Sequence, residues 1–248
     1  VFVFLALVLY GLYTLLNSQT GSLITTPWQT IKWQYAIVFF ASTFISGLLI
    51  FSKLKTKIII IFLILQTFLL VSYLPLSHAL IYGADGWRHI ANEERFLQGG
   101  MFKEAVLGEK SSQEQKLETS KFKNLKTRIG QLSYGNFWSS NVVIAKVFKT
   151  DLVTITKWFL PIVWALVFPI LLFEIGITLG WGRSKSLFLA WLGLLPFAFQ
   201  VGGSFTLPVS FGLLVWLTAI VLILKRLMLP VQEQRWLLAL AGVGLLSG

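Results

Sequence analysis

The chain has 248 residues, of which 56% are hydrophobic and only 12% charged, with a mean hydropathy of +0.76. A soluble globule of this size needs a largely polar skin, so a soluble enzyme, a disordered chain and a collagen are excluded, and a polytopic α-helical membrane protein is indicated. Twenty-one Lys and Arg against ten Asp and Glu give a net charge of +11, but basic residues between hydrophobic segments face lipid headgroups, so the expected partner is the bilayer and no nucleic acid.

The absence of Cys excludes disulfides, thiolate metal sites and thiol catalysis. Hydrophobic runs near 1–16, 34–51, 58–75, 158–180, 187–200, 207–224 and 236–248 predict about seven helices, since 18 residues at ~1.5 Å each span ~27 Å, close to the bilayer core. The chain begins at Val1 inside the first run, without a basic leader or a small-residue cleavage site. That run therefore reads as a transmembrane helix rather than a signal peptide, and the chain as a fragment. Pro196 makes 187–200 a broken or re-entrant segment.

Orientation follows from the short loops. Lys53, Lys55, Lys57, Arg183, Lys185, Lys225, Arg226 and Arg235 lie on one side of the predicted topology, whereas the opposite short loops carry only Lys32. The basic side is expected to be cytoplasmic, which makes 76–157 extracytoplasmic in a multi-pass cytoplasmic-membrane protein. Trp28, Trp33, Tyr35, Tyr73, Trp158, Trp181 and Trp236 fall at predicted helix ends, as an interfacial aromatic belt requires. The chain thus divides into helices at 1–75, a long loop with interfacial helices at 76–157, and helices at 158–248.

The loop 76–157 holds Asp85, Glu93, Glu94, Glu104, Glu109, Glu114, Glu118 and Asp151, eight of the ten acids. Its stretch 109–128 is mixed in charge and reads as a solvated helix or loop, while Tyr134 to Lys157 suits a segment lying in the membrane interface. In YGADGWRHIANEERFLQGG, Tyr82 to Gly100, a helix is predicted from Gly86 to about Gln98, capped by Asp85 and stopped by Gly99 and Gly100. At 100° per residue, Trp87, Ile90, Ala91 and Leu97 fall on one side. Asp85, His89, Asn92 and Glu93 gather on the other, expected to face a cavity or water.

The spacings Asp85 to His89 and His89 to Glu93 are both i, i+4, so these groups could converge on a divalent ion or a substrate, and a carboxylate here could serve as a general base. Equally, Asp85 could be only a helix cap and His89 a solvated interfacial residue.

The segment D-G-W-R-H, Asp85 to His89, is similar to the D-x-W-x-H segment in the first external loop of oligosaccharyltransferase catalytic subunits. Asp85 to Gly100 also resembles the opening of that loop in aminoarabinose and related lipid-sugar transferases, all of them GT-C glycosyltransferases. The later KWFLPIVWALVFPILLFEIGITLGW, Lys157 to Trp181, looks like the helix that returns to the cytoplasm after the loop. The resemblance implies transfer of a sugar from a polyprenyl-phosphate donor on the outer face. It also implies a divalent cation, Mg or Mn, on Asp85, with Asp85 as the catalytic acid and His89 as its active-site partner. Beside them, Arg88 is placed to meet the donor phosphate, and Asn92 and Glu93 share the helical face. Departing from the pattern, the next external turn, Gln200 to Pro208, carries no acid.

Glu174, inside the fourth helix, is expected to make a structural hydrogen bond or to reach toward Arg183 and Lys185. His78 reads as interfacial, and Gly202 to Pro208 as a tight turn between helices rather than an anion site. Two other classes stay open: a transporter or flippase, which would need polar groups at the midplane and related halves, and a scaffold that binds through its long loop.

Overall fold

The computed structural model describes residues 1–22, 24–99 and 134–228. The stretch 109–128 and the run 236–248 lie outside the described residues, with Arg235 and Trp236. Among the described residues the fold is all-helical, with one isolated bridge between Thr20 and His78 and no strand. In chain order the helices are α1 (Phe2–Leu16), α2 (Trp33–Ile50), α3 (Thr56–Val71), α4 (Tyr73–Ser77) and α5 (Ala84–Leu97). After 134 come α6 (Gly135–Phe148), α7 (Leu152–Thr178), α8 (Gly182–Leu192), α9 (Phe197–Ser204) and α10 (Pro208–Met228).

Three helices, α2, α7 and α10, are long and apolar enough to cross a membrane, and α1 and α3 are apolar but shorter. These correspond to five of the seven predicted runs. Helix α3 continues into α4 with a break at Ser72, because Pro75 has no N–H to offer the Val71 carbonyl. The run 187–200 is not one span: α8 ends at Leu192 and α9 begins after Pro196. The Gln200 side-chain amide donates to the Leu194 and Leu195 carbonyls at 3.0 and 3.1 Å, satisfying acceptors that the break leaves without helical partners.

The run predicted at 158–180 begins earlier, at Leu152, because Asp151 caps it. Its carboxylate accepts from the Thr154 N–H at 2.8 Å and from the Thr154 hydroxyl at 2.7 Å, which satisfies one of the orphan donors of the first turn. The same bonds hold the Asp151 carboxyl below its ordinary range. The sequence from Tyr134 to Lys157 is therefore one short helix, a left-handed turn at Lys149 and the first turns of α7, rather than a single interfacial segment.

Helix α7 is the centre of the bundle, packing against α3, α8 and α10. Trp164 stacks on Phe168 at a ring separation of 4.9 Å, and both are buried with Leu63, Leu69 and Leu160. Between α7 and α8 the helices touch backbone to backbone: a Cβ added at Gly176 would stand 2.8 Å from the Ser186 Cα, the close approach that small residues permit. Buried polar groups join helices where both partners are shielded. Gln66 on α3 donates to the Thr43 hydroxyl on α2 at 2.7 Å, and the Trp191 indole on α8 donates to the Thr43 carbonyl at 2.9 Å.

The two ends of the bundle differ in charge. At one end Arg183 donates to the Thr56 hydroxyl at 2.9 Å and to the Leu54 carbonyl, gathering the loops of Lys53, Lys55, Lys57 and Lys185. Glu174 belongs to this end too, but it pairs with Lys225 at 2.6 Å rather than reaching for Arg183 or Lys185. At the other end, the chain after α4 meets the loop after α1, and α5 and α6 pack against α7.

Candidate functional site

Helix α5 starts at Ala84, two residues before the predicted Gly86, and ends at Leu97. Its N-cap is Gly83, with φ of +90°, a backbone conformation open to glycine and costly for other residues. No side chain caps the first turn, so Asp85 contributes through its negative charge at the positive end of the helix rather than as a cap.

The buried stripe of α5 is Gly86, His89, Ile90 and Glu93, the i, i+3, i+4, i+7 pattern of a helix face against protein. This corrects the predicted placement of Ile90. Ile90 is buried beside His89 and Glu93, while Trp87 and Leu97 are exposed, as is Ala91. Glu93 does not face water either. The reason is tertiary: α6 and α7 bring polar partners of their own to this stripe, so the polar side chains pack inward with Ile90.

From α6, the Trp138 indole N–H donates to His89 Nδ1 at 3.0 Å, and the rings of Tyr134, Phe137 and Trp138 surround the imidazole with centroids 5.9, 6.0 and 6.1 Å away. Because Nδ1 accepts, the neutral ring carries its proton on Nε2. Burial pushes the His89 pKa down, and the charge of Asp85 opposes that shift without cancelling it.

Glu93 is completely buried. Its Oε1 accepts from the Asn141 amide of α6 at 2.5 Å and its Oε2 from the Thr156 hydroxyl of α7 at 2.7 Å. Burial raises the carboxyl pKa, and the two hydrogen bonds, which favour the charged form, only partly offset it. One carboxyl thus fastens three helices at one point.

Asp85 and Arg88 stand apart from this clamp. They form a loose pair at 3.9 Å with side chains 65% and 81% exposed, a contact worth at most a fraction of a kcal/mol in water. Asn92 is half-buried between the two faces. The structure therefore brings His89 and Glu93 together on the inner face, and leaves Asp85 and Arg88 on the outer turn. Among the described residues no group of three His, Asp or Glu side chains gathers at one point.

Trp138, Asn141 and Thr156 are the residues that sequence reasoning did not single out. They lie 49, 48 and 63 positions from their partners, beyond the reach of any local periodicity. The one available signal was Asn141 itself, an amide among the apolar residues of FWSSNVVIAKVF. No known protein family, curated protein or solved structure matches this chain.

Proposed function

We propose that the protein is a membrane glycosyltransferase of the GT-C type, transferring a sugar from a polyprenyl-phosphate donor to an acceptor on the extracytoplasmic face. The observation that carries this reading is the state of Asp85, the acid of the D-G-W-R-H segment. It stands exposed on the first turn of α5, while the next two turns are fixed by His89 to Trp138 and by Glu93 to Asn141 and Thr156. An accessible carboxylate on a rigidly held helix is the arrangement that general-base work needs.

In this mechanism Asp85 takes the proton of the acceptor hydroxyl as that oxygen bonds to the sugar's anomeric carbon. The bond from that carbon to the phosphate oxygen breaks, and polyprenyl phosphate leaves with the electron pair. Arg88, one turn along and equally exposed, meets the donor phosphate through its guanidinium. His89 and Glu93 are positioning residues that hold Asp85 in register; a divalent cation, where one is used, would be held by the Asp85 carboxylate and would supply charge for the departing phosphate.

The test is transfer from a polyprenyl-phosphate sugar by the protein in membranes. Asp85→Asn keeps size and hydrogen bonding and removes the base, so turnover should fall about a hundredfold to ten-thousandfold with expression unchanged. Full turnover by Asp85→Asn would demote Asp85 and put the scaffold reading ahead. Sidedness has its own check. The chain has no Cys, so single cysteines introduced at Ser112 and Ser184 should label from opposite sides of intact cells.

A further inference from the structure

A groove of about 620 Å³ opens at the basic end of the bundle, with Phe51, Trp181, Ser184, Lys185, Phe188 and Leu192 among its walls, a volume in the range of ligand sites. Its shape has local causes. Farther from the basic end α2 and α8 touch: the Trp191 indole donates to the Thr43 carbonyl at 2.9 Å, and a Cβ added at Gly47 would stand 3.0 Å from the Trp191 ring. Nearer that end α2 stops at Ile50, and the chain turns into α8 through Gly180 and Gly182, at φ of +75° and +74°, conformations costly for other residues. Trp181, Lys185, Phe188 and Leu192 then recur at i, i+4, i+7 and i+11, one stripe of a helix, and all four are exposed.

The polar end of this stripe is cationic and uncompensated. Lys185 is exposed and forms no ion pair among the described residues. Arg183 fastens the loop between α2 and α3 beside it, through the Leu54 carbonyl and the Thr56 hydroxyl, so the exposed Lys53 and Lys55 flank an anchored residue. Both partners of Arg183 are neutral, and Glu174, the acid of this end among the described residues, is committed to Lys225. Helix α7 is long enough to cross a membrane and ends at Thr178. Lys185 follows seven residues later, at headgroup level, where lipid phosphates are found.

From Lys185, α8 packs back along α7, so the stripe runs from headgroup level toward the hydrocarbon for about 10 Å, seven residues at 1.5 Å each. A free phosphate would leave Phe188 and Leu192 unused, a neutral lipid would leave Lys185 unused, and an apolar helix from a second copy would bury an unpaired charge. We infer that the groove holds an anionic phospholipid, its phosphate against Lys185 and one acyl chain along Trp181, Phe188 and Leu192. The site lies at the opposite end of the bundle from Asp85 and stands independently of the role given to that residue.

The basic end of α10 provides the control. Ile223 and Leu227 are exposed there too, but the neighbouring Lys225 already has its carboxylate. The protein is placed in phosphatidylcholine vesicles containing a trace of lipid with a photoreactive diazirine in one acyl chain, and cross-links are located by peptide mass. The label is carried either by phosphatidylglycerol, which is anionic, or by phosphatidylcholine with the same tails. The ratio of α8 to α10 labelling should be about fivefold higher with the anionic lipid, the effect of one lysine near a membrane surface.

Lys185→Gln changes an exposed side chain and should bring that ratio down to the phosphatidylcholine value, while α10 labelling stays constant. Equal ratios for the two lipids would mean that α8 meets only bulk lipid, and the inference is overturned. A preference for the anionic lipid that survives Lys185→Gln overturns it as well, because the attraction would then belong to the basic end as a whole. Absence of α8 labelling with both lipids would show the groove filled by protein, either residues 229–248 or a second copy, and overturns it equally.

Discussion

At one end of the bundle Glu174 meets Lys225 at 2.6 Å with side chains 31% and 32% exposed, whereas at the other Glu93 is wholly buried and meets only an amide and a hydroxyl. Both acids sit among apolar helices, but they are stabilised by different means. Glu174 has a counter-charge, the Lys225 ammonium, as a carboxylate inside an apolar helix requires. Glu93 has lost its water and has no cation, so its neutral form gains ground and its value lies in joining α5, α6 and α7. The basic end pairs opposite charges that are partly exposed; the α5 end uses neutral donors around a fully buried carboxyl.

The sharpest way to break this contrast is to remove the buried clamp. Glu93→Ala strands the Asn141 amide and the Thr156 hydroxyl and leaves a cavity, which should lower stability by about 2 to 4 kcal/mol. Unfolding in detergent measures it, and cysteine accessibility along α5 should rise in parallel. A change within about 0.5 kcal/mol, the size expected of a surface substitution, would mean that the three helices do not depend on this carboxyl.

Next in size is the response to pH, where the two anchors of α5 run in opposite directions. The folded pKa of His89 lies below its ordinary 6.5, so the unfolded chain binds the proton more tightly. The stability His89 contributes is present above 6.5 and is lost as pH falls through the lowered value. Protonation would also set an Nδ1–H against the Trp138 N–H. The folded pKa of Glu93 lies above its ordinary 4.5, so its contribution is full below 4.5 and is lost as pH rises through the raised value. Glu93→Gln should therefore steepen the loss of stability on acidification from 6.5, by leaving His89 unopposed. His89→Gln should unmask the loss as pH rises above 4.5. Parallel profiles for both variants and the parent would contradict the assigned environments.

The smallest effect is expected at the basic end. Glu174→Gln removes a partly exposed ion pair, and after allowance for solvent screening its cost should not exceed about 1 kcal/mol, read by the same unfolding measurement and diminishing further with added salt. A loss as large as that of Glu93→Ala would erase the distinction between the two ends.

Much of the fold was legible in the chain because its signals are local. Long apolar runs mark α2, α7 and α10 by composition alone, since a helix is the structure that satisfies its own backbone in lipid. The helix within the segment from Tyr82 was legible within two residues at its start and one at its end, because Gly83 and Gly99 punctuate it. Pro196 marked the broken segment for the same reason. The grouping of Lys53, Lys55, Lys57, Arg183, Lys185 and Lys225 at one end also followed from counting helices between them.

What the tertiary structure alone decided is which face of α5 is inside. Helical periodicity leaves Ile90 beside Glu93, and only sorting by polarity separates the two, because that sorting uses each side chain's preference for water or lipid and has no information about what will pack on it. Once Trp138, Asn141 and Thr156 arrive from 48 to 63 residues away, a hydrogen-bonded polar group is as buriable as an isoleucine, and His89, Ile90 and Glu93 turn inward together. Asp85 and Arg88, for which α6 and α7 supply no partner, stay outside. The partner of Glu174 was undetermined for the same reason: Lys225 lies 51 positions further along the chain, and only the packing of α10 against α7 brings the two within 2.6 Å.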